Sequence, residues 1–313
     1  MKKIGLTIFI LLILALIGSL FIFPRKLNVN SSLYYNANAH GVFSFLTDTN
    51  NWAKWWPGNF NAIQKNKGLE FRKNQYDISK ILYHAFELNV ISNQKIYPAH
   101  IKVISASVDS TVLEFTTEME SGFDPFSRIS NYFRAKEIKS DFHEILNALG
   151  KYTSVLKNIY GFDIHNEKVQ MQHLVSTSKE FDHFPTTGDT YLLIEKLRKY
   201  ISTTDAKEEF YPMLNIETTD SIKYTARVGL PVNKLTTGTK DITPKQMVKN
   251  GNILVTEVTG GLKTLENARK QMERYIIDYQ RSIIAIPFQS LQTDRLKVTD
   301  TSKWITKIYY PVV

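Results

Sequence analysis

Ile286-Pro287-Phe288-Gln289 opens an apolar run that closes, after a polar loop, on Lys307-Ile308-Tyr309-Tyr310-Pro311-Val312. The same punctuation stands earlier, where Tyr211-Pro212-Met213 leads to Arg227-Val228-Gly229-Leu230-Pro231-Val232. An apolar strand-like run and then a helix-like run precede each pair. Residues 169–313 therefore read as strand–helix–strand–strand, written twice. Two copies of one unit pack around a shared core or cleft, and this favours a binding module over a particular reaction.

In the first copy, residues 168–176 read as a strand. Tyr191, Ile194, Leu197, Arg198 and Ile201 follow at helical spacing, and residues 212–217 and 224–232 give two more strands. In the second copy, residues 252–259 form the strand. Leu265, Ala268, Met272, Tyr275, Ile276 and Tyr279 form a helical stripe, and residues 287–292 and 303–312 complete the unit. Apolar side chains at intervals of three and four residues share one helical face, whereas β-branched and aromatic runs suit strands. The helices are expected on one face of the sheet. The opposite face is expected to curve around a ligand.

Val258-Thr259-Gly260-Gly261-Leu262, Pro287-Phe288-Gln289 and Ile305-Thr306-Lys307-Ile308-Tyr309-Tyr310-Pro311-Val312 resemble the gyrase-inhibitor-like, or bacterial effector-binding, domain. That resemblance implies a tandem fold with a ligand cleft lined by Phe288 and Gln289. Family members often carry a Glu at the position of Gln289, which would attract a cationic ligand held by aromatic faces. A neutral amide supplies no such Coulomb attraction, and Leu291 replaces the family's usual Tyr. Glu217 and Glu257 are the candidate substitutes. Some relatives hydrolyse small electrophiles, and Gln289 departs from that pattern too.

Upstream, residues 27–36 read as a strand. Asn38-Ala39-His40 begins a short helix with Val42, Phe43 and Leu46 on its apolar face. Trp52, Trp55 and Trp56 stand within five positions, before Pro57. They can close one end of a core or form the mouth of an apolar pocket. Strands are expected at 71–78, 83–91, 100–106 and 111–118, with turns at Asn93-Gln94 and Val108-Asp109-Ser110. Such short connections suggest an antiparallel meander. Asp124-Pro125 caps a helix expected to run to about residue 158, with Phe126, Ile129, Phe133, Phe142, Ile145, Leu149, Tyr152, Leu156 and Ile159 on its apolar side. The entry at 33–46, the Trp52–Trp56 cluster and the long helix resemble the START-like (SRPBCC, polyketide cyclase) superfamily. That resemblance implies a sheet gripping a long helix around an apolar cavity, and it carries over no catalytic residue.

Lys2 and Lys3 precede twenty uncharged residues, 4–23. At 1.5 Å rise per residue these would span about 30 Å, the hydrocarbon thickness of a bilayer. The apolar run continues past Gly18-Ser19, so an uncleaved single-pass anchor is expected, N-terminus inside and the folded domains extracytoplasmic. The chain thus reads as α+β: an anchor (1–26), a helix-grip domain (27–160) and a tandem-repeat domain (168–313).

The net charge of +9 comes from dispersed Lys and Arg, not a dense block. With no recognised nucleic-acid motif, no nucleic-acid partner is expected. The chain has no Cys, which excludes disulfides, thiolate nucleophiles and Cys metal sites. GxGxxG, phosphate-loop, HExxH and GxSxG patterns are absent. His173 and His183 lie too far apart for one helical face, and Asp182-His183 reads as a polar loop pair. No cofactor or metal is expected, and nothing specifies an oligomeric state. The favoured reading is a membrane-anchored binder or sensor of a small apolar or amphipathic molecule, without catalysis. A hydrolase acting in the C-terminal cleft and a partner-binding scaffold are the alternatives.

Overall fold

A computed structural model describes residues 2–60, 68–220 and 223–313, and the chain divides into two compact units, Met1–Val155 and Leu156–Val313. The first begins with α1 (Lys2–Ile22), in which the 19 residues Ile4–Ile22 have a mean hydropathy of 2.8. By length and composition this helix can cross a membrane, and most of its side chains are exposed. Its C-terminal end is fastened to the rest of the unit, because Arg128 Nη1 donates to the Leu20 carbonyl at 2.8 Å.

There follow β1 (Lys26–Tyr35), α2 (Ala39–Thr47), α3 (Trp52–Trp55), β2 (Asn59–Phe60), β3 (Gly68–Phe71), β4 (Asn74–Leu82), β5 (Ala85–Ser92), β6 (Lys95–Ser107), β7 (Ser110–Glu120) and α4 (Pro125–Thr153). The strands make one antiparallel sheet in the order β1-β7-β6-β5-β4-β3-β2, a meander closed by the return of β1 onto β7. The expected β5–β6 turn falls at Asn93 and Gln94, both at positive φ. Asp124 caps α4 by accepting from Ser127 N at 2.7 Å, with Pro125 as its first residue.

The helix expected to reach residue 158 breaks at Ser154, whose backbone and hydroxyl both bond to the Gly150 carbonyl. A five-residue helix follows in the second unit. Of the side chains expected on the apolar side, Phe142, Ile145, Leu149 and Ile159 are buried, whereas Phe126 and Phe133 near the start of α4 are exposed, because the helix is covered by the sheet only toward its C-terminal half. The interior between α4 and the sheet is filled by side chains: Phe115 and Phe142 stack at 3.6 Å, and Trp52, Tyr76 and Phe86 are wholly buried. Asp141 of α4 is buried among donors from β4 and the β3–β4 turn, Asn74 Nδ2 at 2.7 Å, Tyr76 OH at 3.1 Å and Arg72 Nη1 at 3.0 Å. A buried carboxylate with three donors is satisfied, and it fixes the helix on the sheet.

The second unit contains α5 (Leu156–Tyr160), β8 (His165–Lys168), β9 (His173–Phe181), α6 (Thr187–Ile201), β10 (Met213–Asp220), β11 (Lys223–Val232), β12 (Thr243–Gln246), β13 (Asn252–Thr259), α7 (Leu262–Asp278), β14 (Phe288–Leu291) and β15 (Ile305–Pro311). They form an eight-stranded sheet in the order β12-β9-β11-β10-β14-β15-β13-β8. Its centre is a duplication: β9-β11-β10 meets β14-β15-β13 across the β10–β14 pair. Leu214 lies opposite Gln289 there. Both stand two residues after the Pro that opens their copy, so equivalent positions face each other across a local pseudo-two-fold.

One expected strand is corrected. Residues 168–176 are two segments: Lys168 ends β8, on β13 of the other copy, while β9 starts at His173 on β11. Val169 and Met171 between them pack against Ile253, Phe288 and Tyr309. Their apolarity signals burial, which the sequence pattern rendered as one continuous strand. Helix α6 packs on β9 and β11, and α7 packs on β13, both on one face of the sheet. Leu214, Val228 and Leu230 point toward α6, whereas Met213, Phe288 and Tyr309 form a second core on the opposite face.

Candidate functional site

α6 covers β9 and β11 and α7 covers β13, leaving the sheet centre at β10 and β14 without a helix of its own. A cleft of about 650 Å³ lies there, floored by Leu214, Ile216 and Gln289 and walled by Leu265, Arg269 and Glu273 of α7. It shares Phe184, Leu262 and Gln289 with a narrower hollow of about 220 Å³ that also meets Tyr191, Arg295 and Trp304. Four large apolar side chains reach solvent around the cleft: Phe184 (44% exposed), Leu262 (48%), Ile283 (46%) and Ile286 (50%). Single exposed apolar residues are ordinary, but their convergence on a concave surface is the usual character of a ligand site.

Strand alternation sorts the candidates read from sequence. Gln289 is half-buried on the helix face, and its amide makes no hydrogen bond among the described residues. Glu217 and Phe288 stand an odd number of places along their strands from Leu214 and Gln289, which turns them toward the helix-free face, yet both still border the larger cleft. There Phe288 stacks on Tyr309 at 5.0 Å, and Glu217 accepts from Arg227 Nη1 at 2.5 Å. Glu257 lies opposite Lys307 in the β13–β15 register and shares that face with Tyr309. Burial, with Glu167 and Glu257 nearby, pushes the Tyr309 hydroxyl up to about 12. The helix-free face carries two smaller hollows, of about 230 and 220 Å³, with Phe288 in both. The larger cleft is walled by α7 and brings Gln289 together with Glu217 and Phe288 of the candidates read from sequence, but not Glu257. The helices are separated over the sheet centre and do not seal it.

Trp52, Trp55 and Trp56 are buried together in the first unit, Trp52 and Trp55 ring centres 5.1 Å apart. Trp52 Nε1 donates to the Leu46 carbonyl at 2.8 Å and Trp56 Nε1 to the Glu70 carbonyl at 3.0 Å. Of the two readings open in the sequence, their burial matches the core-closing one. That unit also carries a hollow of about 620 Å³ on its outer sheet face, between Asn28, Asn30, His100 and Glu118. No aromatic side chain other than His lines it, so the cleft over Gln289 is the better candidate.

Several residues of the cleft did not stand out in the sequence. Glu273 accepts from the Tyr310 hydroxyl at 2.8 Å, and burial together with this bond pushes that hydroxyl up to about 12. Arg295 and Trp304 lie in the loop between β14 and β15, where neither helical nor strand periodicity operates. Only the isolated Trp among polar residues was available as a signal. The Arg295 backbone N–H donates to the Tyr191 hydroxyl at 2.7 Å, which ties this loop to α6. Among the described residues, no cluster of His, Asp and Glu has a metal-binding arrangement.

No family model and no curated protein matches the chain. Among solved structures it is similar to the EcmrR C-terminal domain, at 14% identity and a TM-score of 0.40, covering 49% of this chain and 98% of that one. It is also similar to SAV2435 bound to tetraphenylphosphonium (14% identity, TM-score 0.34, 48% and 93% covered). A hydrolase from Listeria innocua gives 10% identity and a TM-score of 0.35, with 48% and 91% covered. The duplication described above rests on the chain's own strand register.

Proposed function

We propose that this chain binds a small, largely apolar molecule in the helix-side cleft of its second unit, as an effector-binding domain of the gyrase-inhibitor-like type. The observation that carries this reading is the cleft of about 650 Å³, where exposed Leu262 and Ile286 converge above the unpaired amide of Gln289. An apolar wall with a few convergent polar groups is what a ligand site requires. The N-terminal unit is read as a START-like helix-grip domain, its interior occupied by Phe115, Phe142 and Tyr76, so the ligand is assigned to the second unit. α1 is assigned as a membrane anchor that keeps both units outside the cytoplasm.

Equilibrium dialysis of the full-length chain against a metabolite extract, read by mass spectrometry, tests the binding assignment. The wild type is expected to enrich one or more apolar compounds. Leu262→Trp, which fills the cleft from an exposed position, is expected to lose them. Equal enrichment by both proteins would remove the cleft from the account.

A second reading has its own observation. The Glu273 carboxylate and Tyr310 hydroxyl meet on the cleft wall, a carboxylate–phenol pair suited to proton transfer during hydrolysis of a small electrophile. Ester hydrolysis reduced at least tenfold by Glu273→Gln would favour it, and turnover unchanged by that substitution would dismiss it.

A further inference from the structure

The narrow end of the cleft holds a cation with no anion to match it. Its lining includes neither Asp, Glu nor Lys, and Arg295 is the one charged side chain among its described residues. The guanidinium lies 4.6 Å over the Trp304 ring, and Nη2 donates to Thr306 Oγ1 at 2.9 Å. Nε is shut off from solvent and meets no acceptor among the described residues. The neighbouring carboxylate is committed elsewhere: Asp294 accepts from Leu296 N at 3.1 Å and pairs with Lys297 Nζ at 3.5 Å. Asp189 is held by Thr186 and His183. Leaving a partly buried guanidinium short of acceptors is costly, and a ligand in the hollow can supply one to its remaining N–H groups.

Resting on the cleft reading above, we propose that the ligand is an anion: an aromatic or aliphatic body lying along Leu262 and Leu265, with a carboxylate or similar planar anionic group directed at Arg295. The fixed fork of a guanidinium suits such a group. Other features of the hollow agree in sign. Thr186 and Thr187 at the N-terminus of α6, and Leu262 at that of α7, line the same space, and Gly261 gives α7 no side-chain cap. The α7 dipole therefore places partial positive charge there, whereas that of α6 is offset by Asp189. Gln289 stays neutral and adds an amide donor without opposing the anion.

The test compares two probes of one shape, 2-naphthoate and its neutral isostere 2-naphthamide, titrated calorimetrically into the full-length chain in detergent. Naphthoate is expected to bind at least tenfold more tightly. Arg295→Met, which keeps most of the length and removes the charge, is expected to abolish that preference. Equal affinity of the wild type for both probes overturns the anion assignment and leaves the apolar cleft standing. Binding of neither probe overturns both. Should Arg295→Met fail to fold, Arg295→Lys replaces it: the preference is expected to fall because an ammonium cannot fork, and an unchanged preference would contradict a direct role for the guanidinium.

Discussion

Asp141 and Gln289 show how much a single residue's surroundings decide. Asp141 is almost wholly buried, yet it has donors from Arg72, Asn74 and Tyr76, residues on or beside the sheet. Asp141→Ala is expected to destabilise the chain by about 2–4 kcal/mol, measured by urea denaturation, since three donors lose a buried acceptor at once. Phe142→Ala, which opens a void against Phe115, is expected to cost about 3–5 kcal/mol in the same assay. Gln289→Glu would place a carboxylate in the hollow that holds Arg295. Titration with naphthoate is expected to show at least tenfold weaker binding than wild type, and an unchanged affinity would separate the two positions. The later part of the long helix's apolar stripe, from Phe142 on, was legible in the sequence, but the exposure of Phe126 and Phe133 and the burial of Asp141 were not. A polar residue on a buried face interrupts the periodicity, and its partners are some seventy residues away. Arg295 was hidden for a related reason: its importance comes from the acids that are absent around it.

At the scale of elements, α6 carries the clearest local design. Thr186 and Asp189 form a reciprocal capping box, Asp189 N donating to Thr186 Oγ1 at 3.1 Å and Thr186 N to the Asp189 carboxylate at 3.0 Å. Thr186→Ala is expected to cost about 1 kcal/mol. The Thr186 hydroxyl and backbone bonds, then His183, hold Asp189 down to about 2 from an ordinary 3.8, while Asp182 and Asp189 raise His183 above its ordinary 6.5. A depressed carboxylate stabilises the fold above its unfolded pKa, and that contribution fades as pH falls toward about 2. A raised imidazole stabilises it below 6.5, and that contribution fades as pH rises through the folded value. The melting-temperature difference between wild type and Asp189→Asn is therefore expected to be largest from about pH 4 to pH 6.5, shrinking toward pH 2 and again above neutrality. A pH-independent difference would show that the cap acts without its charges. The two helices and most strands were readable from period and punctuation. β8 and β12 were not, since they are four-residue edge strands defined by their partners. β9 was displaced because apolar Val169 and Met171 extended its pattern into a connection.

Across the whole molecule, the duplicated Pro-led strands locate the pseudo-two-fold, and the narrow hollow lies between α6 and α7 beside it. The tandem order followed from sequence because repeated punctuation survives when residue identity does not. The ligand-facing side did not follow, since alternation gives two faces without saying which one the helices leave open. The chain has no Cys, so Lys240→Cys provides a single thiol at an exposed position of the second unit. If α1 anchors the chain with its N-terminus inside, an impermeant maleimide should label that thiol in intact spheroplasts, and labelling only after lysis would reverse the topology. The most direct test of the central claim is a crystal structure of the full-length chain soaked with 2-naphthoate. The predicted result is density between α6 and α7, its carboxylate against Arg295 and its rings along Leu262 and Leu265. Density confined to the opposite face, against Phe288 and Tyr309, would contradict the account.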